Sequence, residues 1–189
     1  MKKLLIGSIV GSVILFVWSF LAWSILPIHQ HTINYTPAQD SLLKVLADNN
    51  LESGAYWMPM ADNRNVSSFD PKYQADMEKV MKENEGKPVA TVYYIKEGYT
   101  MNIPRGFFFN FLAVFAACII LVPAFSTVNS FFQRWWFALV IGLLVNACGP
   151  LINYNWMAIP WNYTIDMILD IFLNWAIVGA WLAWWFGRK

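Results

Sequence analysis

Three polar residues share one face of the last apolar segment of the chain. Asp166, Asp170 and Asn174 are four residues apart, and residues at this spacing lie one above another on a helix. Each of the other three apolar segments also has a polar residue, ~5–10 Å from the end that lies on the same side of the membrane as Asp166, at ~1.5 Å per residue. The sequence therefore predicts an intramembrane polar cluster made of Asp170, Asp166, Asn174, Asn146, Asn110 and Ser19.

Two hypotheses account for this cluster. In the structural one, the amide and hydroxyl groups hydrogen-bond across helices, and the carboxylate of Asp166 is favoured by the helix dipole. In the functional one, they line a polar cavity in which Asp170 binds a proton or a cation, because ionisable groups inside a membrane usually mark such sites. The four apolar segments contain no Lys or Arg to pair with Asp170, and both hypotheses stay open.

A metal site is a further hypothesis. In an extended segment the imidazoles of His29 and His31 project from one side, and Asp166 would complete a set of two histidines and a carboxylate. The alternative is a His-x-His pair without metal. The chain lacks the short motifs of hydrolases, zinc proteases and phosphate-binding loops, so we expect no cofactor and favour a non-enzymatic protein.

Four apolar segments must position these residues. The chain is 58% hydrophobic and 13% charged, against about 25% charged in soluble domains. We predict an α-helical membrane protein with a first transmembrane helix, an uncleaved signal anchor, in residues 1–27. A three-helix region in 106–189 has spans at about 107–125, 135–151 and 165–186, each near the ~20 residues needed to cross a bilayer.

The basic residues beside these segments predict the orientation. Those on one side of the membrane are Lys2, Lys3, Arg134, Arg188 and Lys189. Because Lys and Arg accumulate on the cytoplasmic side, we expect both termini in the cytoplasm and residues 28–105 outside it. That segment has no Cys, hence no disulfide, which favours a bacterial inner membrane.

Residues 28–105 have the composition of a small α/β domain inserted between the first two membrane helices. Thr36 is predicted to cap one helix, and Asp70-Pro71 to begin another that ends near Glu83. Residues 54–58 and 89–95 are predicted strands, with residues 32–35 as a third edge strand.

Small residues recur every four positions in the first span, at Gly7 and Gly11 and at Ser8 and Ser12. This spacing lets helix backbones approach closely. Packing within the chain and dimerisation of two chains are both compatible with it.

The opening MKKLLIGSIVGSVILFVWSFLAWSILP, the later SGAYWMP and the strand GKPVATVYY resemble a group of uncharacterised bacterial inner-membrane proteins with the same four-span layout. The resemblance covers most of the chain and implies this architecture, but it implies no activity.

The expected function is that of a non-enzymatic accessory or assembly subunit, which acts through a protein partner or as a homo-oligomer in the lipid bilayer. The net charge of +1 and the absence of a basic stripe argue against nucleic-acid binding. The alternatives are a protein that binds an ion, a proton or a polar ligand around Asp170, and a metal-dependent envelope enzyme.

Overall fold

A computed structural model describes residues 1–188 of the chain, so Lys189, one of the predicted cytoplasmic charges, lies outside the described residues. A 3-10 turn, Pro27–His29, follows the first helix, and a π-helical turn, Ala147–Leu151, joins the fifth and sixth. The helices and strands, in chain order, are α1 (Lys2–Ser24), α2 (Gln39–Asp48), β1 (Gly54–Met58), α3 (Pro71–Glu83), β2 (Ala90–Tyr94), α4 (Ile103–Ser126), α5 (Phe131–Asn146), α6 (Ile152–Trp156) and α7 (Trp161–Gly187).

Four helical segments of the described chain are long and apolar enough to cross a membrane. They are α1, α4, the continuous segment Phe131–Trp156 and α7. A bilayer requires ~20 apolar residues per helix, and these segments have 23 to 27 residues. The chain therefore has the architecture of a multi-pass membrane protein.

The last three spans begin four residues before their predicted starts. Helices α4, α5 and α7 start at Ile103, Phe131 and Trp161, because a first turn can be polar or aromatic and still join the helix. At α4, the side chain of Asn102 accepts a hydrogen bond from the backbone of residue 105, which is an N-cap. The third span also continues past its predicted end, since the wider π turn accommodates Pro150, which has no N–H to donate.

The helices α1, α4, α5 and α7 pack around one apolar core. Its buried members include Leu15, Val114, Leu121, Val178 and Leu182. The spans thus bury their apolar stripes against one another, and the rest of their apolar surface is exposed, as expected for lipid-facing helices.

The small residues of α1 lie in this bundle. Gly7, Gly11, Ser8 and Ser12 are all buried. A Cβ atom on Gly11 would lie 2.8 Å from a methyl carbon of Val114, and one on Gly7 would lie 2.8 Å from the indole of Trp185. The face that was compatible with packing or with dimerisation is occupied by helices of the same chain.

Residues Tyr35–Tyr99 form a second compact unit, shorter than the predicted 28–105 segment. Strands β1 and β2 pair antiparallel, with Gly54 opposite Tyr94 and Met58 opposite Ala90. Helix α3 begins where it was predicted to begin, and the Asp70 carboxylate caps it by accepting from the backbone N–H groups of residues 72 and 73.

Two local predictions about this region are wrong. Residues 32–35 form no strand, because the Thr32 hydroxyl is engaged with Asp166 in the helical bundle. Helix α2 begins at Gln39 without a side-chain cap. Thr36 accepts a hydrogen bond from the N–H of Ala38 at 3.3 Å, and this bond forms a turn before the helix.

Candidate functional site

Helix α7 carries the two carboxylates of the site. Asp166 and Asp170 lie ~8 and ~14 Å along the axis from the start of the helix, at ~1.5 Å per residue. Asp166 is half-buried, whereas Asp170 is only 6% exposed. Apart from the acidic residues of the second compact unit, Tyr35–Tyr99, they are the only acidic residues in the sequence. The end of the bundle where α1 finishes and α7 begins is called the Asp170 end below.

Asp170 is held by groups from α1 and from the turn that follows it. The indole Nε1 of Trp18 donates to Oδ1 at 2.6 Å, and Nε2 of His29 lies 3.3 Å from Oδ2. The side chains of His29 and Asp170 are 3% and 9% exposed. This is a buried carboxylate–imidazole pair, and charge-assisted bonds of this kind are stronger than neutral ones.

The imidazole of His29 is fixed on its other sides. The ring stacks on Trp23, with 3.8 Å between ring centroids and an interplanar angle of 10°, an arrangement that also stabilises a cationic ring. The 3-10 turn Pro27–His29 brings the chain back over the end of the bundle. Asn162 then bonds the carbonyl of His31 at 3.1 Å, which ties the segment to the start of α7.

Thr32 connects this pair to the second carboxylate. Nδ1 of His29 lies 3.0 Å from Oγ1 of Thr32, and the same hydroxyl donates to Oδ2 of Asp166 at 2.7 Å. Thr32 is 5% exposed. The result is a continuous series of hydrogen bonds, Asp166–Thr32–His29–Asp170, which we call the relay.

Hydrogen-bond counting shows which placements of protons satisfy every contact of the relay. A carboxylate only accepts, a hydroxyl donates one proton, and a neutral imidazole donates from one nitrogen and accepts at the other. If Thr32 donates to Asp166, His29 must donate from Nδ1, and a further proton is then needed between Nε2 and Asp170. If the proton is on Asp166 instead, every bond reverses, and Nε2–H donates to Asp170. In each arrangement one proton is shared among two carboxylates and one neutral imidazole, with a total charge of −1.

Two further polar groups of the predicted cluster are buried in the bundle. Asn146 donates to the carbonyl of Ile168 at 3.3 Å, while Asn174 lies one helical turn beyond Asp170. In the described chain, the side-chain oxygen of each asparagine is buried without a hydrogen-bond partner. An unpartnered buried acceptor costs ~1–3 kcal/mol, so both oxygens are disposed to accept a bond from a donor.

The structure does not bring the remaining predicted residues into the relay. Ser19 bonds the Leu15 carbonyl of its own helix at 3.0 Å, and Asn110 is half-buried on α4. His31 is exposed. No three His, Cys, Asp or Glu side chains within residues 1–188 could hold a metal ion, so the metal hypothesis for His29, His31 and Asp166 gains no support and stays a prediction.

Sequence analysis missed Trp18 and Thr32. One signal was available for Thr32: residues three apart lie on the same side of a 3-10 turn, and Pro27 favours such a turn two residues before His29. No comparable signal existed for Trp18, because its partner lies 152 residues away.

The second compact unit has several exposed polar contacts of its own. Lys96 bonds Glu52 at 2.8 Å, and Ser53 bonds Glu97 at 2.7 Å. Arg64 beside Asp62 holds the pKa of that carboxyl well below its usual range. Exposed ion pairs contribute little to stability, so these contacts organise the loops and form no site.

Comparisons of the chain with models of protein families, with curated proteins and with solved structures found no match.

Proposed function

We propose that the chain is a proton-binding membrane protein in which the relay takes up one proton beside Asp166 and holds it at Asp170. The supporting observation is the unbroken series of hydrogen bonds from Asp166 through Thr32 and His29 to Asp170. Reversal of these bonds moves a proton ~6 Å along the axis of α7, the rise of four residues.

Loss of the proton has a structural consequence in this proposal. With two carboxylates and a neutral imidazole, one contact of the relay must bring two acceptors together, at Nε2 and Asp170, at Nδ1 and Thr32, or at Thr32 and Asp166. That contact becomes repulsive, and it lies under the segment 27–32. Protonation therefore holds this segment closed over the bundle, and deprotonation loosens it.

No other charged group is in the relay. At this end the helix α1 contributes the indoles of Trp18 and Trp23, which are both neutral. Helix α4 has one charged residue, Arg105, in its first turn. The charged residue of α5, Arg134, bonds the carbonyls of Val128 and Ala183. The proton of this proposal is accordingly assigned to Asp166, His29 and Asp170.

The orientation proposal follows from the distribution of basic residues. Lys2, Lys3 and Arg188 lie at the ends of α1 and α7 opposite the relay. The positive-inside rule supports cytoplasmic termini and a relay that opens to the extracytoplasmic side of a bacterial inner membrane. The relay would then sense the pH outside the cell.

Asp170→Asn provides a sharp test, because the Asn amide can donate to Nε2 of His29. The variant therefore reproduces the hydrogen bonds of the protonated relay with a side chain that does not ionise. We expect the variant to fold and to take up about one proton less than wild type when the solution is made mildly acidic. Proton uptake is measured with an indicator dye in weakly buffered detergent solution.

The control is Asp76→Asn, which removes an exposed carboxyl group of α3 in the other compact unit. It should retain the uptake by the relay. Because the chain has two histidines, nitrogen NMR of a His31→Gln background reports on His29 alone and shows its protonation. Equal uptake by wild type and Asp170→Asn would refute the proposal.

A second candidate, the accessory subunit that acts through a protein partner, is favoured by the surface of the Tyr35–Tyr99 unit. Leu42, Leu43 and Val45 of α2 are 56%, 56% and 57% exposed, and Phe69 is 83% exposed. Contiguous exposed apolar residues often mark interaction surfaces. The two candidates are compatible, since a partner could respond to the state of the relay.

A further inference from the structure

The end of the bundle opposite the relay carries positive charge without acidic partners. Lys2 and Lys3 begin α1, and Arg188 follows α7. Among residues 1–188, none of these three side chains forms an ion pair with a carboxylate. The start of α1 adds the partial positive charge of a helix N-terminus.

Side-chain contacts join the two helix ends and form a cavity there. Trp185 donates from Nε1 to the carbonyl of Lys3 at 2.8 Å, and the ammonium group of Lys3 donates to the carbonyl of Arg188. The guanidinium of Arg188 lies 4.2 Å from the ring centroid of Trp184. Ile6, Lys3, Trp185 and Arg188 line an open cavity of about 500 Å³.

This lining combines two kinds of surface. Lys3 has one of its three ammonium protons engaged, and Arg188 presents a planar set of N–H donors, so both retain donors for an anion. Ile6 and the indole of Trp185 form apolar walls, and Ile6 is 46% exposed. An anion with an attached hydrocarbon chain matches this lining better than a free inorganic ion does.

We infer that this cavity binds the phosphate group of an anionic phospholipid, with Lys3 and Arg188 on the phosphodiester and the acyl chains along Ile6 and Trp185. Basic pockets between membrane helices bind anionic lipid headgroups. The tryptophans suit the boundary between headgroups and hydrocarbon, where their indole N–H groups reach polar partners. The inference does not depend on the relay.

The test uses the full-length protein in mild detergent and short-chain phosphatidylglycerol, with binding measured by native mass spectrometry. Short-chain phosphatidylcholine and inorganic phosphate are the comparison probes. We expect one phosphatidylglycerol per chain, bound at least about tenfold more tightly than either comparison probe, because phosphatidylcholine has no net negative charge and inorganic phosphate has no acyl chains. Lys3→Gln/Arg188→Gln should weaken this binding roughly tenfold.

Lys2→Gln is the matched control, since it removes one charge from the same helix end but does not line the cavity. It should change the affinity less than about twofold. If the double variant does not fold, Arg188→Gln alone tests the site. Lys3 bonds the backbone carbonyl of residue 188, so this substitution leaves that bond in place. Undiminished phosphatidylglycerol binding by folded Lys3→Gln/Arg188→Gln or Arg188→Gln protein would overturn the inference, and so would equally tight binding of inorganic phosphate or phosphatidylcholine.

Discussion

Thr32 offers the most direct test of the relay, because valine has nearly the same shape as threonine but no hydroxyl. Thr32→Val removes two hydrogen bonds together, the 3.0 Å contact with His29 and the 2.7 Å contact with Asp166. The bulk of the side chain is retained, so the experiment measures the bridge itself.

The expected cost follows from the burial of the two partners. The His29 side chain is 3% exposed, so water cannot replace the hydroxyl at Nδ1, and an unsatisfied buried donor costs ~1–3 kcal/mol. Asp166 is half-buried, and water can replace its lost bond at a cost of ~0.5 kcal/mol or less. We therefore expect Thr32→Val to lower the free energy of unfolding by about 2 kcal/mol. This exceeds the ~0.6 kcal/mol typical of hydrogen bonds between membrane helices, because the donor is left without an alternative.

Thr164→Val is the matched control. Thr164 is fully buried on α7, but its hydroxyl bonds the Pro160 carbonyl of the same helix turn at 3.0 Å. That carbonyl also accepts the backbone N–H of Thr164, so it keeps a partner in the variant. We expect a loss of ~0.5 kcal/mol or less.

The measurement is reversible unfolding of both variants in mixed micelles, followed by the loss of helical circular dichroism as denaturing detergent is added. A difference of about 1.5 kcal/mol corresponds to roughly a tenfold change in the unfolding equilibrium. If Thr32→Val is no less stable than Thr164→Val, the hydroxyl does not bridge His29 and Asp166, and the relay as described is wrong.

Two further predictions concern orientation and partners. An alkaline phosphatase fused after Asn65 should be active and one fused after Lys189 inactive, because the first lies outside the cytoplasm in our proposal; the reverse result would invert the orientation. If the Tyr35–Tyr99 unit contacts another protein, a stoichiometric partner should co-purify after mild extraction, and Leu42→Glu/Val45→Glu should release it without unfolding the bundle. A homogeneous chain free of other proteins in several detergents would contradict the partner hypothesis.

Local features were predictable because their causes are local. The start of α3 depends on Asp70 and Pro71, which are adjacent in sequence. The four apolar helices follow from segment length and composition. The ends of the helices were less predictable, because Asn102 and the residues after Leu151 extend them through hydrogen bonds that hydropathy does not report.

The site depended on contacts that sequence spacing does not encode. An extended chain would have placed His29 and His31 on the same side and suggested a shared metal. The 3-10 turn instead directs His29 toward Asp170 and leaves His31 exposed. Helical spacing indicated that Asp166 and Asp170 share a face, but the bonds that join them come from residues 134 to 152 positions away.

Burying polar side chains in the bundle costs free energy, and this cost suggests that they are there for a function. The bundle already has an apolar core of leucine, valine and aromatic side chains, and buried ion pairs are often no more stabilising than apolar residues of similar volume. The side-chain oxygens of Asn146 and Asn174 lack partners within the described chain, so the polar residues of the bundle do not all satisfy one another. A purely structural network would be expected to satisfy its own members. In the proposed function, one shared proton satisfies every contact of the relay, so the proposal accounts for a polar network that the apolar core does not require.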